Sequence, residues 1–160
     1  MFREVMGLPA HALVIHAAVV FVPLLAVLAI GYGVLPAWRG RLGWAAAILA
    51  VLAPVTVFVA KESGEELEHI LAEKNYGAEI LKQVEVHSGY ADQLFWWTVG
   101  LAVATALLLF ATSRHPRAAA LPGWVGTVLT GLVVVLGVLA VIYVYLTGDS
   151  GAQAVWKGVV

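Results

Sequence analysis

Four stretches of this chain, 12–35, 42–60, 94–112 and 124–147, contain no Asp, Glu, Lys or Arg. At about 1.5 Å per residue, each matches a hydrocarbon core of about 30 Å. Backbone polar groups have no water to bond in lipid, so only helices and closed barrels can span it. Uninterrupted apolar runs of this length, without period-2 alternation, predict an all-α, polytopic bundle of four transmembrane helices in the lipid bilayer. A hydrophobic fraction of 62% and a mean hydropathy of +0.93 place the chain far outside soluble composition. The spans lack the midplane charges on which ion translocation depends.

The ends of the spans carry direction. Trp38, Trp44, Trp96, Trp97 and Trp124 fall at span boundaries, where an amphipathic indole prefers to sit. Arg39 and Arg41 occupy the first inter-span loop and Arg114 and Arg117 the third, with no acid in either. The positive-inside rule puts both loops in the cytoplasm. The connection 61–92 holds eight of the ten acids and three lysines, and an even span count places it with both termini on the extracytoplasmic side. This predicts a multi-pass protein of the bacterial inner membrane. The net charge of -1 hides the asymmetry, and nothing supports a nucleic-acid partner.

Arg3 ahead of an apolar run, with Val27-Leu28-Ala29 as a weak cleavage site, raises a signal peptide as the rival reading of the first span. The run is too long for an ordinary h-region. With 160 residues and no polar linker, one domain, 1–160, is expected, and no internal repeat stands out.

Between Gly64 and Val86 the composition turns charged, with Leu67, Ile70, Leu71, Ala78, Leu81 and Val84 at helical spacing and Asn75-Tyr76-Gly77 as a break. This predicts one or two amphipathic helices over the outer end of the bundle, the second running into the third span. Small residues at i, i+4 (Gly100–Ala104, Ala102–Ala106, Thr127–Gly131) allow close helix approach, and Pro23 and Pro54 are kink sites.

Zero cysteines excludes disulfides, thiolate metal sites, iron–sulfur clusters and covalent haem attachment through C-x-x-C-H. Chemistry must then come from nitrogen and oxygen. His11 and His16 stand at the outer entrance of the first span, and His87 with Ser88, Gly89, Tyr90 and Asp92 at the approach to the third. In a regular helix His11 and His16 diverge by about 140°, so each needs partners from another helix. His11, His16 and His87 are candidate ligands of a non-covalent b-type haem. With Glu62, Glu66 or Asp149 they are alternatively candidate ligands of copper or zinc. The same residues also suit a structural polar cluster in a noncatalytic accessory or scaffolding subunit. His69 reads as a surface residue and His115, in Ser-Arg-His-Pro-Arg, as part of a turn. Gly148-Asp149-Ser150-Gly151 copies the letters around a trypsin-like nucleophile, but here it closes a membrane helix, where a helix stop is expected; no catalytic residues are assigned.

Leu8-Pro9-Ala10-His11-Ala12-Leu13-Val14-Ile15-His16, the span with Pro23, Ser63-Gly64, His87-Ser88-Gly89, and Gly148-Asp149-Ser150-Gly151-Ala152 with Trp156 carry a resemblance over nearly the whole chain. They resemble the bacterial membrane-protein family designated domain of unknown function 2231. The resemblance implies a four-helix membrane domain, sometimes found in larger proteins associated with electron transfer, with recurrent histidines suspected of binding haem or metal; membrane or periplasmic redox proteins are the expected partners. His11, His16 and His87 match its recurrent histidines. Ala12 stands where the family's opening has proline, and Asp149 where its ending often has histidine. The latter departure weighs against a four-histidine, two-haem arrangement.

Overall fold

The structure, a computed structural model, describes residues 4–5, 8–73 and 77–156. Among these residues five α-helices dominate: α1 (Ala10–Val34), α2 (Arg39–Glu73), α3 (Ala78–Ala111), the four-residue α4 (Pro116–Ala119) and α5 (Trp124–Trp156). A 3-10 turn, Pro36–Trp38, joins α1 to α2, and a two-residue antiparallel pairing of Glu4–Val5 with Leu8–Pro9 precedes α1. The four long helices are apolar and long enough to cross a membrane. Pro23 and Pro54 lie within continuous α1 and α2.

At about 1.5 Å per residue, α1 is about 37 Å long and α2, α3 and α5 about 50 Å, well beyond the hydrocarbon thickness. The excess bears on the expected outer segment, whose second helix does run into the third span. Residues 61–73 continue α2 and residues 78–92 open α3, so among the described residues no separate helix lies across the bundle end. Asn75 and Tyr76 of the expected break lie outside the described residues. The Gly148–Gly151 stretch is no helix stop either, because α5 runs through it to Trp156. Ser150 Oγ donates back to Thr147 O at 3.0 Å, so its hydroxyl is satisfied without leaving the helix.

Around the bundle the order is α1, α2, α3, α5, each packing on its two neighbours, with α1 and α3 diagonal. The core is fine-grained: Ala18, Val22, Leu25, Ala26 and Ala29 from α1 meet Ala53 and Val57 of α2, Leu101, Ala104 and Leu108 of α3, and Val133 and Ala140 of α5. Close approach falls at glycines the spacing rule did not select. A Cβ on Gly33 would stand 2.8 Å from Thr130 Cγ2, and one on Gly137 would stand 3.0 Å from Ile30 Cδ1. Thr127 and Gly131 face outward.

The burial pattern reveals a duplication. Ala18, Val22, Leu25, Ala26, Ala29 and Tyr32 are buried on α1, and Leu94, Thr98, Leu101, Ala102, Thr105 and Leu108, each 76 positions later, are buried on α3. On α2, Ala46 and Ala53 are buried, and so on α5 are Val133 and Ala140, each 87 positions later. The molecule is thus two helical hairpins, α1–α2 and α3–α5, related by a pseudo-two-fold axis along the bundle. They differ mainly in their turns, residues 35–38 against residues 112–123.

Candidate functional site

At the end of the bundle opposite the arginines, each hairpin presents one histidine in the same frame. His11, in the first turn of α1, donates from Nδ1 to Ala60 O (2.9 Å) and to Ser63 Oγ (3.2 Å) on α2. His87 on α3 donates from Nδ1 to Thr147 O (3.0 Å) and to Ser150 Oγ (3.2 Å) on α5. Each serine can accept because its own proton goes to the same carbonyl, at 2.8 Å in Ser63 and 3.0 Å in Ser150. A carbonyl offers only lone pairs, so Nδ1 must carry hydrogen; in the neutral ring Nε2 is then the free base.

The next residue in each frame is glycine, and the space where its Cβ would be is taken by the ring. A Cβ on Gly64 would stand 3.0 Å from His11 Cε1, and one on Gly151 would stand 3.0 Å from His87 Cε1. Both imidazoles therefore lie against helix backbone, half-buried and fixed by their hydrogen bonds. Their centroids are 6.2 Å apart and their planes cross at 85°.

Around the pair, Lys61 Nζ joins Glu65 Oε1 (2.6 Å) on its own helix and Asp92 Oδ1 (3.3 Å) on α3, tying the hairpins together. Thr147 Oγ1 is buried without a hydrogen-bond partner. Deeper in the second hairpin, Tyr143 packs against Tyr90 and Trp97 at centroid distances of 6.3 and 6.2 Å.

Of the residues singled out from sequence, the structure brings His11 and His87 together and places the others elsewhere. His16 is exposed and bonds Ala12 O of its own helix at 2.7 Å, as its rotation of about 140° from His11 requires. Glu62 and Asp149 are exposed; Asp149 Oδ2 accepts from Gln153 Nε2 at 2.7 Å. Glu66 is half-buried on α2. Among the described residues, no three of His, Cys, Asp and Glu form a group able to hold a metal ion, so the set of three imidazoles and a carboxylate is not assembled. His69 is exposed, as expected. His115 serves its own turn, where its Nδ1 accepts from Arg117 N at 3.2 Å and caps α4. The frames that orient the two rings, Ala60–Ser63–Gly64 and Thr147–Ser150–Gly151, were not read from the sequence as one arrangement, although the letters Ser-Gly occur in both.

The donor set can be tested against a bound group. With centroids 6.2 Å apart, the two rings are near enough that one nitrogen of each could reach a single ion through bonds of about 2 Å. Nδ1–H bonded to a backbone carbonyl is the usual way a ligating imidazole is oriented and made more basic. Two such nitrogens complete a haem iron, whose macrocycle supplies four more, but leave a tetrahedral zinc ion two ligands short.

Fold and site together define a four-helix membrane protein with paired histidines at one end of the bundle. The model of one family, described as a predicted membrane protein (DUF2231), matches residues 7–160, and the chain belongs to that family. No curated protein and no solved structure matches it.

Proposed function

We propose that this protein holds one b-type haem between His11 and His87 and exchanges single electrons with membrane or periplasmic redox proteins. The observation that carries the reading is the matched pair: two imidazoles from diagonal helices, each with Nδ1 committed to a carbonyl and Nε2 left basic, with centroids 6.2 Å apart, so that both could hold one iron. When bound, haem would supply one-electron chemistry; the chain's part is to hold, orient and seclude it. The arginine asymmetry supports an extracytoplasmic position for this end in a bacterial inner membrane.

The test is expression with ample haem, followed by an optical spectrum and haem quantitation of the purified protein. A Soret band with one haem per chain is expected. His11→Ala and His87→Ala should each abolish it, because either removes half of one site, while His16→Ala and His115→Ala should retain it. A folded, colourless wild-type protein would sink the proposal. Metal analysis of that sample would separate a copper ion held by the two nitrogens from an empty site.

One observation favours a second reading, an accessory or scaffolding subunit. Each histidine bridges the two helices of its own hairpin, as a structural clasp would. In that case His11→Ala and His87→Ala would each cost about 1–3 kcal/mol through unpaired polar partners, with no cofactor to lose.

A further inference from the structure

The hydrogen-bond frames of the two histidines superimpose in sequence as well as in chemistry. Ala60, Ser63 and Gly64 recur 87 positions later as Thr147, Ser150 and Gly151, the same offset that relates the buried residues of α2 and α5. His11 and His87 are 76 positions apart, the offset that relates the buried residues of α1 and α3. The pseudo-two-fold axis of the bundle therefore exchanges one histidine for the other. A group bound to one nitrogen of each lies on that axis.

Ring orientation follows from the same frames. Rotation of an imidazole about its bond to a metal is soft, so its plane is set by the direction of the Nδ1–H bond and by what the ring edge touches. Here the edge touches glycine. A Cβ on Gly64 would come within 3.0 Å of Cε1 and 3.3 Å of Nδ1 of His11, and one on Gly151 within 3.0 and 3.2 Å of the same atoms of His87. Beside an alanine each ring would have to give by a few tenths of an ångström. With both glycines present, the planes cross at 85°.

Resting on the haem reading, we infer that His11 and His87 are equivalent axial ligands held with crossed planes, and that Gly64 and Gly151 are the positioning residues that keep them so. Crossed axial imidazoles interact with different iron d orbitals and leave these nearly degenerate, whereas parallel ones split them. The ferric electron paramagnetic resonance spectrum reports the difference. Crossed planes give a strongly anisotropic low-spin signal and parallel planes a rhombic one.

The experiment takes the full-length, haem-loaded protein in detergent and records low-temperature spectra and midpoint potentials for wild type, Gly64→Ala and Gly151→Ala. The expected result is the strongly anisotropic signal in wild type and a shift toward the rhombic form, similar in size, in each variant with haem retained. A rhombic wild-type spectrum would overturn the inference and leave the haem reading standing; a protein without haem would overturn both. A change in one glycine variant with none in the other would overturn equivalence. Should the glycine variants not fold, Ser63→Ala and Ser150→Ala remove a hydrogen-bond acceptor without adding atoms. They should move the midpoint potential in the same direction by matching amounts, and shifts of opposite sign would overturn the inference.

Discussion

At the scale of single residues, glycine acts here through what it leaves room for. Gly33 admits Thr130, whose Cγ2 would be 2.8 Å from an added Cβ, while Gly131 faces open space. Gly33→Ala should lower stability by about 1–3 kcal/mol, since overpacking a fitted contact forces neighbours off their rotamers. Gly131→Ala should be neutral or stabilising by up to about 1 kcal/mol, because alanine is the better helix former. Denaturant unfolding in detergent measures both. The contrast also shows what the sequence could not reveal. The i, i+4 rule picked Thr127 and Gly131, but α5 is apolar all round, and such a helix does not announce which side meets protein and which meets lipid. His11 and His87 were legible because an imidazole at a span entrance needs a partner. His16 was equally polar on paper, and only its helical phase, seen against the neighbouring helices, separates it from the pair.

At the scale of elements, the apolar runs marked the spans well and the helix ends poorly. Charge and composition change abruptly after Ala60, yet α2 continues to Glu73, because a helix satisfies its own backbone whether its side chains meet lipid or water. A hydropathy boundary locates the membrane surface and says little about where hydrogen bonding stops. The helix ends that matter are fastened by side chains. Arg39 donates from Nε to Tyr32 O at 3.2 Å and from Nη2 to Gly33 O at 3.4 Å, covering terminal carbonyls of α1, and its guanidinium lies 5.5 Å from the Tyr32 ring centroid. Tyr32 Oη in turn meets Thr112 Oγ1 at 2.6 Å, linking that end to α3. Arg39→Ala should therefore cost about 1–2 kcal/mol, as charged hydrogen bonds to otherwise unmatched carbonyls do. The Lys61–Asp92 pair is more exposed, and Lys61→Ala should cost under about 1 kcal/mol. Thermal unfolding of the two variants side by side checks the order.

At the scale of the whole molecule, the surface matches the solvent the sequence chose. Val27, Trp44, Trp96 and Trp124 are each about two-thirds exposed, and the bundle buries only 17–39% of each span's most apolar window, so most of its apolar area faces outward toward lipid. The orientation is open to direct measurement: single cysteines near Glu73 and near Arg114, in a chain that has none of its own, should be labelled by an impermeant reagent in intact cells only at the first site. Labelling only at the second would invert the topology. The duplication escaped the sequence for two physical reasons. Lipid-facing and core positions alike accept nearly any small apolar residue, so Val22 answers to Thr98 and Ala18 to Leu94, and the few identities, such as Leu25 with Leu101, are common apolar letters. The longer second turn also replaces one repeat period by two, 76 for the descending helices and 87 for the ascending ones, which defeats a search at fixed spacing.

Because the paired imidazoles come from diagonal helices of different hairpins, the centre has a birth time during synthesis. A ribosome that has delivered α1 and α2 has already oriented His11 through Ala60 and Ser63, yet offers an incoming ligand a single nitrogen. The second nitrogen arrives with α3, and its orientation only with Thr147 and Ser150, near the end of α5. Under the proposed function, tight capture would be withheld from every truncated or half-inserted chain, and occupancy would certify that both hairpins had entered the membrane and found each other.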